Sequence, residues 1–225
     1  QGNSQVWNFA HCARLNLLPL NGSMPGCAGH TRCRRCPASL ETLPHVLNHC
    51  PQNMQLITAR HNAILQRIWK ALQRPERRFF TNQPVPNTTS LLRPDIVILT
   101  KQSATIIDIS IPFENGPDAF SDSRQRKLDK YAPLADELQQ QGYAVTVGAI
   151  LVGSLGAWDP ENDDLLSLLG VSSTYLRLCR ELCTADALRH SSNIYLHHLR
   201  KTPTAPPIAK VINRPPTKRP QPPPE

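Results

Sequence analysis

Between residues 54 and 72, Leu56, Ala59, Ala63, Ile64, Ile68 and Leu72 recur at helical spacing, with Arg60, Arg67, Lys70 and Arg74 read as the opposite face. That pattern predicts a long amphipathic helix. The segments "DIVILT" and "ATIIDISI" are short, β-branched, joined by "KQS" and stopped by Pro112, so they read as two strands. Residues 119–141 predict a helix with a kink or restart at Pro133, "YAVTVGAILV" another strand, and Leu165 to Leu199 mainly helix. Strand, strand, helix, strand, helix makes a mixed α/β domain.

The flanks carry less pattern. Residues 1–31 hold one short apolar run, "ARLNLLPL", among turn formers such as Asn21, Gly22, Pro25 and Gly26, and read as a mostly irregular lead-in. In the tail, 201–225, nine prolines are interleaved with Lys210, Arg214, Lys218 and Arg219, which predicts an extended, disordered segment. No apolar run approaches the roughly 18 to 20 residues needed to cross a bilayer, and no signal-like start is visible, so a soluble protein with no membrane partner is expected. The chain begins with Gln1 rather than Met, which suggests a piece of something longer.

Charge changes the picture through its distribution. The net charge is +8, but residues 1–90 hold ten Lys/Arg against Glu41 and Glu76, whereas residues 91–201 hold 11 against 14 acids. A basic front and basic tail are the footprint of a polyanion partner. The slightly acidic middle suits a metal-dependent site.

Five of the seven cysteines lie in the first 50 residues, and an odd count clustered in this way suits metal ligation better than a disulfide framework. The spacing Cys33-x2-Cys36-x8-His45-x4-Cys50 fits a closed, tetrahedral, structural zinc site. The fourth ligand is not unique by spacing: His49 neighbours Cys50, and Cys27 and His30 continue the pattern upstream. Cys50 is preferred because thiolate is the stronger structural ligand. Arg34 and Arg35 beside the cluster, with Arg67 and Lys70 on the following helix, are candidate phosphate contacts.

The strand pair carries the second candidate chemistry. Asp108 interrupts "TIIDISI" on the face of Ile106 and Ser110, while Ile107, Ile109 and Ile111 point the other way. A hairpin turning at Lys101 and Gln102 sets Asp95 opposite Asp108, with Cβ atoms roughly 4.5 to 5.5 Å apart. Two facing carboxylates are destabilising unless a cation such as Mg²⁺ or Mn²⁺ lies between them. On the helix that follows, Lys127, Tyr131, Leu134 and Leu138 share the face that meets the sheet and Lys130 flanks it, so either lysine could serve an attacking water.

Asp95 after a proline, Asp108 thirteen residues on and a helical lysine afterwards resemble the PD-(D/E)xK, restriction-like nuclease superfamily. The usual lysine position, two residues after the second acid, is Ser110 here. A lysine moved to the helix, and a Cys-Cys-His-Cys knuckle just upstream, resemble the endonuclease region of site-specific non-LTR retrotransposons that insert into ribosomal RNA genes. "ARLNLLPL", "RHN" at 60–62, "KLDKY" at 127–131 and "VGSLGAWDP" at 152–160 extend the likeness over about residues 10–200.

The resemblance implies a layout of lead-in (1–31) after an upstream reverse transcriptase, zinc knuckle (32–52), restriction-like nuclease core with a mixed sheet flanked by helices (53–200), and tail. It implies a DNA endonuclease that nicks chromosomal target DNA in the nucleus to prime reverse transcription of the element RNA. Asp95 and Asp108 would hold the divalent ion, with the Ile109 carbonyl a further ligand; Lys127 or Lys130 would serve the water; Arg60 and His61 would grip phosphate. Two other classes remain: a nucleic-acid-binding module without cleavage, and a scaffold binding protein through the proline-rich tail.

Overall fold

The computed structural model describes residues 2–23, 31–37 and 39–200. Cys27, His30 and the tail 201–225 lie outside the described residues. The elements are α1 (Gly2–Arg14), a single wide π-helical turn (His45–His49), a 3-10 turn (Pro51–Asn53), α2 (Met54–Leu72), β1 (Arg78–Phe80), β2 (Ile96–Leu99), β3 (Ser103–Ser110), α3 (Ala119–Gln140), β4 (Ala144–Leu151), α4 (Glu161–Leu168) and α5 (Ser173–Leu199).

The strands form one mixed sheet in the order β1-β2-β3-β4, antiparallel except for the β3/β4 pair that α3 connects. β2 is buried along its whole length because helices cover both faces, which is why "IVIL" reads as a continuous apolar run. On one face Val97, Leu99, Ala104 and Ile106 pack against Tyr131, Leu134, Ala135 and Leu138 of α3. On the other, Ile96, Ile98, Ile107, Ile109 and Ile150 meet α2, α4 and α5 through residues such as Ile64, Ile68, Leu166 and Cys183. The architecture is therefore helix, sheet, helix.

Three expectations are corrected. The lead-in contains α1, whose Phe9 and Ala13 join Leu20, Leu47, Ile194 and Tyr195 in a core of their own. Because that core also takes in Leu43 and Val46, the cysteine-rich segment is not a separately packed module but is built onto α1 and the end of α5. α3 runs unbroken through Pro133. Proline removes one helical hydrogen bond; here it lies on the exposed side, while Tyr131, Leu134, Ala135 and Leu138 hold both flanking turns to the sheet. β1, a three-residue edge strand, is not foreshadowed by the sequence pattern.

The predicted hairpin register holds. Ile96 pairs with Ile107 and Val97 with Ile106, and Thr100 N donates to Ser103 O (2.9 Å) across the Lys101-Gln102 turn, so the ladder extrapolates to Asp95 opposite Asp108. Both acids lie toward the end where β3 finishes and β2 begins.

Candidate functional site

At that end a cleft of about 640 Å³ opens between the π turn, α2, β3 and α3, and Asp95, Asp108, Lys127, Lys130, Arg60 and His61 all line it. Asp108 is buried, yet its Oδ2 lies 2.5 Å from Lys127 Nζ and its Oδ1 accepts from the Tyr131 hydroxyl. Burial and the neighbouring Asp108 push the Tyr131 phenol pKa upward, so it stays protonated as a donor. Lys130 is exposed and donates from Nζ to Tyr131 Oη (2.9 Å). The helical face inferred for Lys127 and Tyr131 thus delivers both to the acid.

Asp95 is held differently. Its Oδ2 accepts the Ile109 N–H (2.7 Å) and lies 3.1 Å from His61 Nε2, which is also 3.3 Å from the Ile109 carbonyl. Two acceptors facing Nε2 make that nitrogen the N–H donor. Burial alone would lower the His61 pKa, but the bond and charge of Asp95 raise it above the ordinary value. Each facing carboxylate therefore has its own hydrogen-bonding partner, the Lys127 ammonium on one and the His61 N–H on the other. This offsets the like-charge repulsion that the bare pair would suffer.

Arg60 does not sit on the polar face of α2. It lies four residues before Ile64, in the same buried row as Ile68 and Leu72, and is only 1% exposed. Its guanidinium donates to Ser191 Oγ (2.8 Å), Leu47 O (3.1 Å) and Asn48 Oδ1 (2.7 Å), tying α2, α5 and the π turn together. Burial lowers its pKa to about 10, which leaves it charged at neutral pH. A side chain so enclosed is a strut behind the cleft, not a phosphate grip. Arg60→Ala should cost about 3 kcal/mol of unfolding free energy in a urea titration, because three acceptors lose a charged donor. A variant as stable as wild type that bound DNA more weakly would restore the phosphate role.

The expected nucleic-acid contacts at Arg34, Arg35 and Arg67 are likewise engaged inside the protein. Arg34 grips Glu41 through Nε (2.7 Å) and a terminal nitrogen (2.8 Å). Arg35 donates to the carbonyls of His197, His198 (3.0 Å) and Arg200 (2.9 Å), neutralising the C-terminal end of α5. Arg67 pairs with Asp186 at 3.0 Å. Lys70 is exposed but does not line the cleft. Two further cations line it, Arg93 and Arg126, each with a signal in the sequence: Arg93 directly precedes "PD" and Arg126 lies one turn before Lys130.

The metal-ligand set converges as the spacing requires. The ligand atoms of Cys33, Cys36, His45 and Cys50 all lie within 4.8 Å of one another. Cys33 and Cys50 sulfurs are 3.9 Å apart, those of Cys36 and Cys50 3.6 Å, and Cys36 Sγ is 3.0 Å from His45 Nε2. Sulfurs on a tetrahedral zinc are separated by about 3.8 Å, from Zn–S bonds near 2.3 Å, so three thiolates and one imidazole fit the ion. The π turn supplies the pair from the C-terminal side: Cys50 N donates to His45 O (2.7 Å), bringing both residues inward, while His49 is exposed. Burial, with hydrogen bonding to the neighbouring sulfurs of Cys33 and Cys50, pushes the Cys36 pKa up to about 12.

Behind the cluster lies a network that spacing could not reveal. Asn53 Nδ2 donates to Val46 O (2.9 Å) and to His198 Nδ1 (3.0 Å), which fixes the His198 proton on Nε2, 3.0 Å from Glu41 Oε1 and 3.7 Å from Cys33 Sγ. Burial lowers the His198 pKa, so the contact is a neutral hydrogen bond rather than an ion pair. Cys33, Glu41 and His198 approach closely enough to bind an ion. Glu41, however, already accepts from Arg34 and from the N–H groups of Asn21 (2.7 Å) and Arg34 (2.9 Å), so this group supports the cluster instead of forming a second one.

Glu41 also supplies a pH-dependent prediction. Burial alone would raise its pKa, but Arg34 and the surrounding donors hold it at about 2, below the ordinary 4.5. A depressed carboxylate stabilises the fold above its unfolded pKa and loses that contribution as pH falls toward the folded value. Glu41→Gln should therefore lower stability at pH 7 by about 3 kcal/mol, and the gap should narrow between about pH 4.5 and 2. A gap that stays constant in urea titrations across that range would assign the loss to packing.

The loop "VGSLGAWDP" braces the cleft from below. A Cβ on Gly153 would meet Glu114 Oε1 at 1.9 Å, and only glycine leaves room for that carboxylate to accept the Leu155 and Ala157 N–H groups at 2.9 to 3.0 Å. Ser154 Oγ donates to Asn48 Oδ1 (2.9 Å), and Asp159 pairs with Arg124 of α3 (2.6 Å).

Fold and site define a mixed α/β domain with a four-residue Cys/His cluster joined to an acid-lined cleft. No family model matches the chain. Among known proteins, the Retrovirus-related Pol polyprotein of the type-1 retrotransposable element R2 from Popillia japonica is 28% identical over 190 residues, covering 79% of this chain and 38% of that protein. Its counterpart from Nasonia vitripennis is 27% identical over 184 residues, 77% of this chain and 18% of that protein. The Pol polyprotein of the type-2 element R2DM from Drosophila melanogaster is 25% identical over 170 residues, 72% and 16% respectively. The chain is thus a homologue of a region of R2 retrotransposon Pol polyproteins and spans well under half the length of each.

Proposed function

We propose that this chain is the metal-dependent DNA endonuclease portion of a retrotransposon polyprotein, nicking chromosomal DNA in the nucleus so that the freed 3′-hydroxyl can prime reverse transcription. The observation that carries this reading is the facing pair Asp95 and Asp108 in a cleft, with Lys127 of a separate helix on Asp108. Both described hydrogen bonds of Asp95 use Oδ2, which leaves Oδ1 available. Asp95, Asp108 and the Ile109 carbonyl would hold a Mg²⁺ or Mn²⁺ ion. Such an ion supplies charge neutralisation on the phosphoryl group and makes water more acidic.

The protein's own groups divide the remaining work. Lys127 reaches Asp108 from the cleft side and is partly accessible, so its ammonium can orient the attacking water or offset charge on the phosphate. Lys130, leaning on the Tyr131 hydroxyl, stands ready at the rim. His61 keeps Asp95 oriented through its Nε2–H. The zinc cluster fixes the π turn that forms one wall. Element RNA and an upstream reverse transcriptase are the partners this reading brings with it.

The direct test is conversion of supercoiled plasmid to open circles by the zinc-loaded protein with Mg²⁺. Nicking that requires the divalent ion is the expected result. Binding of the plasmid without any nicking would favour a non-catalytic nucleic-acid-binding module.

A further inference from the structure

We propose that Arg93, Arg126 and Lys130 form a phosphate track along the mouth of the cleft, holding one backbone of duplex DNA across Asp95 and Asp108. This places the DNA interface on the acid-lined domain instead of on the arginine-rich knuckle. The position of the scissile phosphate rests on the nuclease reading; the binding surface does not.

The cations divide by whether a partner already holds them. Arg34 and Arg35 of the knuckle are engaged by Glu41 and by the end of α5, and Arg67 is engaged by Asp186. Among the described residues, the guanidinium groups of Arg93 and Arg126 are exposed and make no ion pair or hydrogen bond, and both line the cleft. Asp122, one turn before Arg126, also lines the mouth but forms no ion pair with it. An unpaired arginine keeps its full charge and planar fork for phosphate oxygens.

Placement gives these cations a direction. Arg126 and Lys130 are four residues apart on α3, about 6 Å along one flank at 1.5 Å per residue, while Lys127 between them turns inward to Asp108. Arg93 stands two residues before Asp95, its main chain anchored where its carbonyl accepts from Tyr131 Oη (3.5 Å). Because the same cleft is lined by Asp95 and Asp108, a backbone held by these cations lies against the acid pair.

The lining also selects duplex over single strand. Sequence-independent binding of single strands uses exposed aromatic rings as stacking platforms. No tryptophan is among the described residues lining this cleft; Tyr131 is buried, Phe113 is half-buried, His61 is held by Asp95, and of the aromatic rings only the small imidazole of His49 is exposed. With so little stacking surface, recognition runs through phosphates of a helix whose bases remain stacked.

The test is binding of a labelled 20-base-pair duplex to the zinc-loaded protein without Mg²⁺, followed by fluorescence anisotropy across a salt series. Removing one cation that neutralises a phosphate should reduce the log K against log salt slope by about 0.9, so the Arg93→Ala/Arg126→Ala double variant should lose about two units. Lys101→Ala, at the hairpin turn beyond the far end of the strands, should keep the wild-type slope. An unchanged slope in the double variant overturns the track. A weakening seen with single strands but not with duplex overturns the choice of partner. A reduced slope in a protein that never nicks plasmid would sink the nuclease reading and leave the track standing, whereas nicking with an unchanged slope would do the reverse.

Discussion

Asp108→Asn should abolish Mg²⁺-dependent plasmid nicking, a fall of at least about 10²-fold, while duplex affinity stays near wild type. Asparagine keeps the shape and can still accept from Tyr131, but it removes one of the two facing carboxylates between which a cation would sit. Taking a buried charge out of an apolar strand often adds stability. That gain should not appear, because Lys127 already pairs with Asp108 and, at 27% side-chain exposure, can turn into water once the charge is gone. Lys127→Ala should be more damaging than Lys130→Ala, since only Lys127 touches the acid. Full nicking by Asp108→Asn would remove the nuclease assignment; full nicking by Lys127→Ala alone would move its role to Lys130.

What could be read from sequence followed the range of the interactions. The hairpin register depends on a two-residue turn and strict alternation, both local, so Asp95 opposite Asp108 was legible. The Cys33, Cys36, His45, Cys50 set was legible because its ligands fall within 18 residues. α1 was missed although Val6, Phe9, Ala10 and Ala13 have helical spacing, because so short a stripe gains its stability from Tyr195 and Leu20, far along the chain or beyond the helix. The assignment of Arg60 to the polar face relied on its charge, whereas its spacing from Ile64 put it in the buried row; its partners Leu47, Asn48 and Ser191 lie 12 to 131 residues away. Counting charges placed the polyanion footprint on residues 1–90, but a count cannot see that Arg35 meets carbonyls more than 160 residues distant. Charge left unpaired in three dimensions, at Arg93 and Arg126, was invisible for the same reason.

Removing zinc should have the widest structural effect. Cys36→Ser, or a chelator strong enough to strip structural zinc, should destabilise the protein by about 5 kcal/mol or more, a part of the roughly 10 to 16 kcal/mol that structural zinc supplies in small domains. Cys33 and Cys50 are almost wholly buried, and without a cation their neighbour Cys36 is driven toward the neutral thiol. The damage should not stop at residues 31–53. Leu43, Val46 and Leu47 share a core with α1 and with Ile194 and Tyr195, and Arg35 and His198 tie the end of α5 to the same segment. Amide exchange should therefore lose protection in α1, the π turn and the last turns of α5, while β2 to β4 keep theirs under α3 and α2. Nicking should fall too, because Asn48 of the π turn donates to Ile111 O (3.1 Å) and accepts from Arg60 and Ser154 at the cleft wall. Exchange changes confined to 31–53 would mean that the knuckle packs independently after all, and equal zinc content in wild type and Cys36→Ser would remove Cys36 from the ligand set.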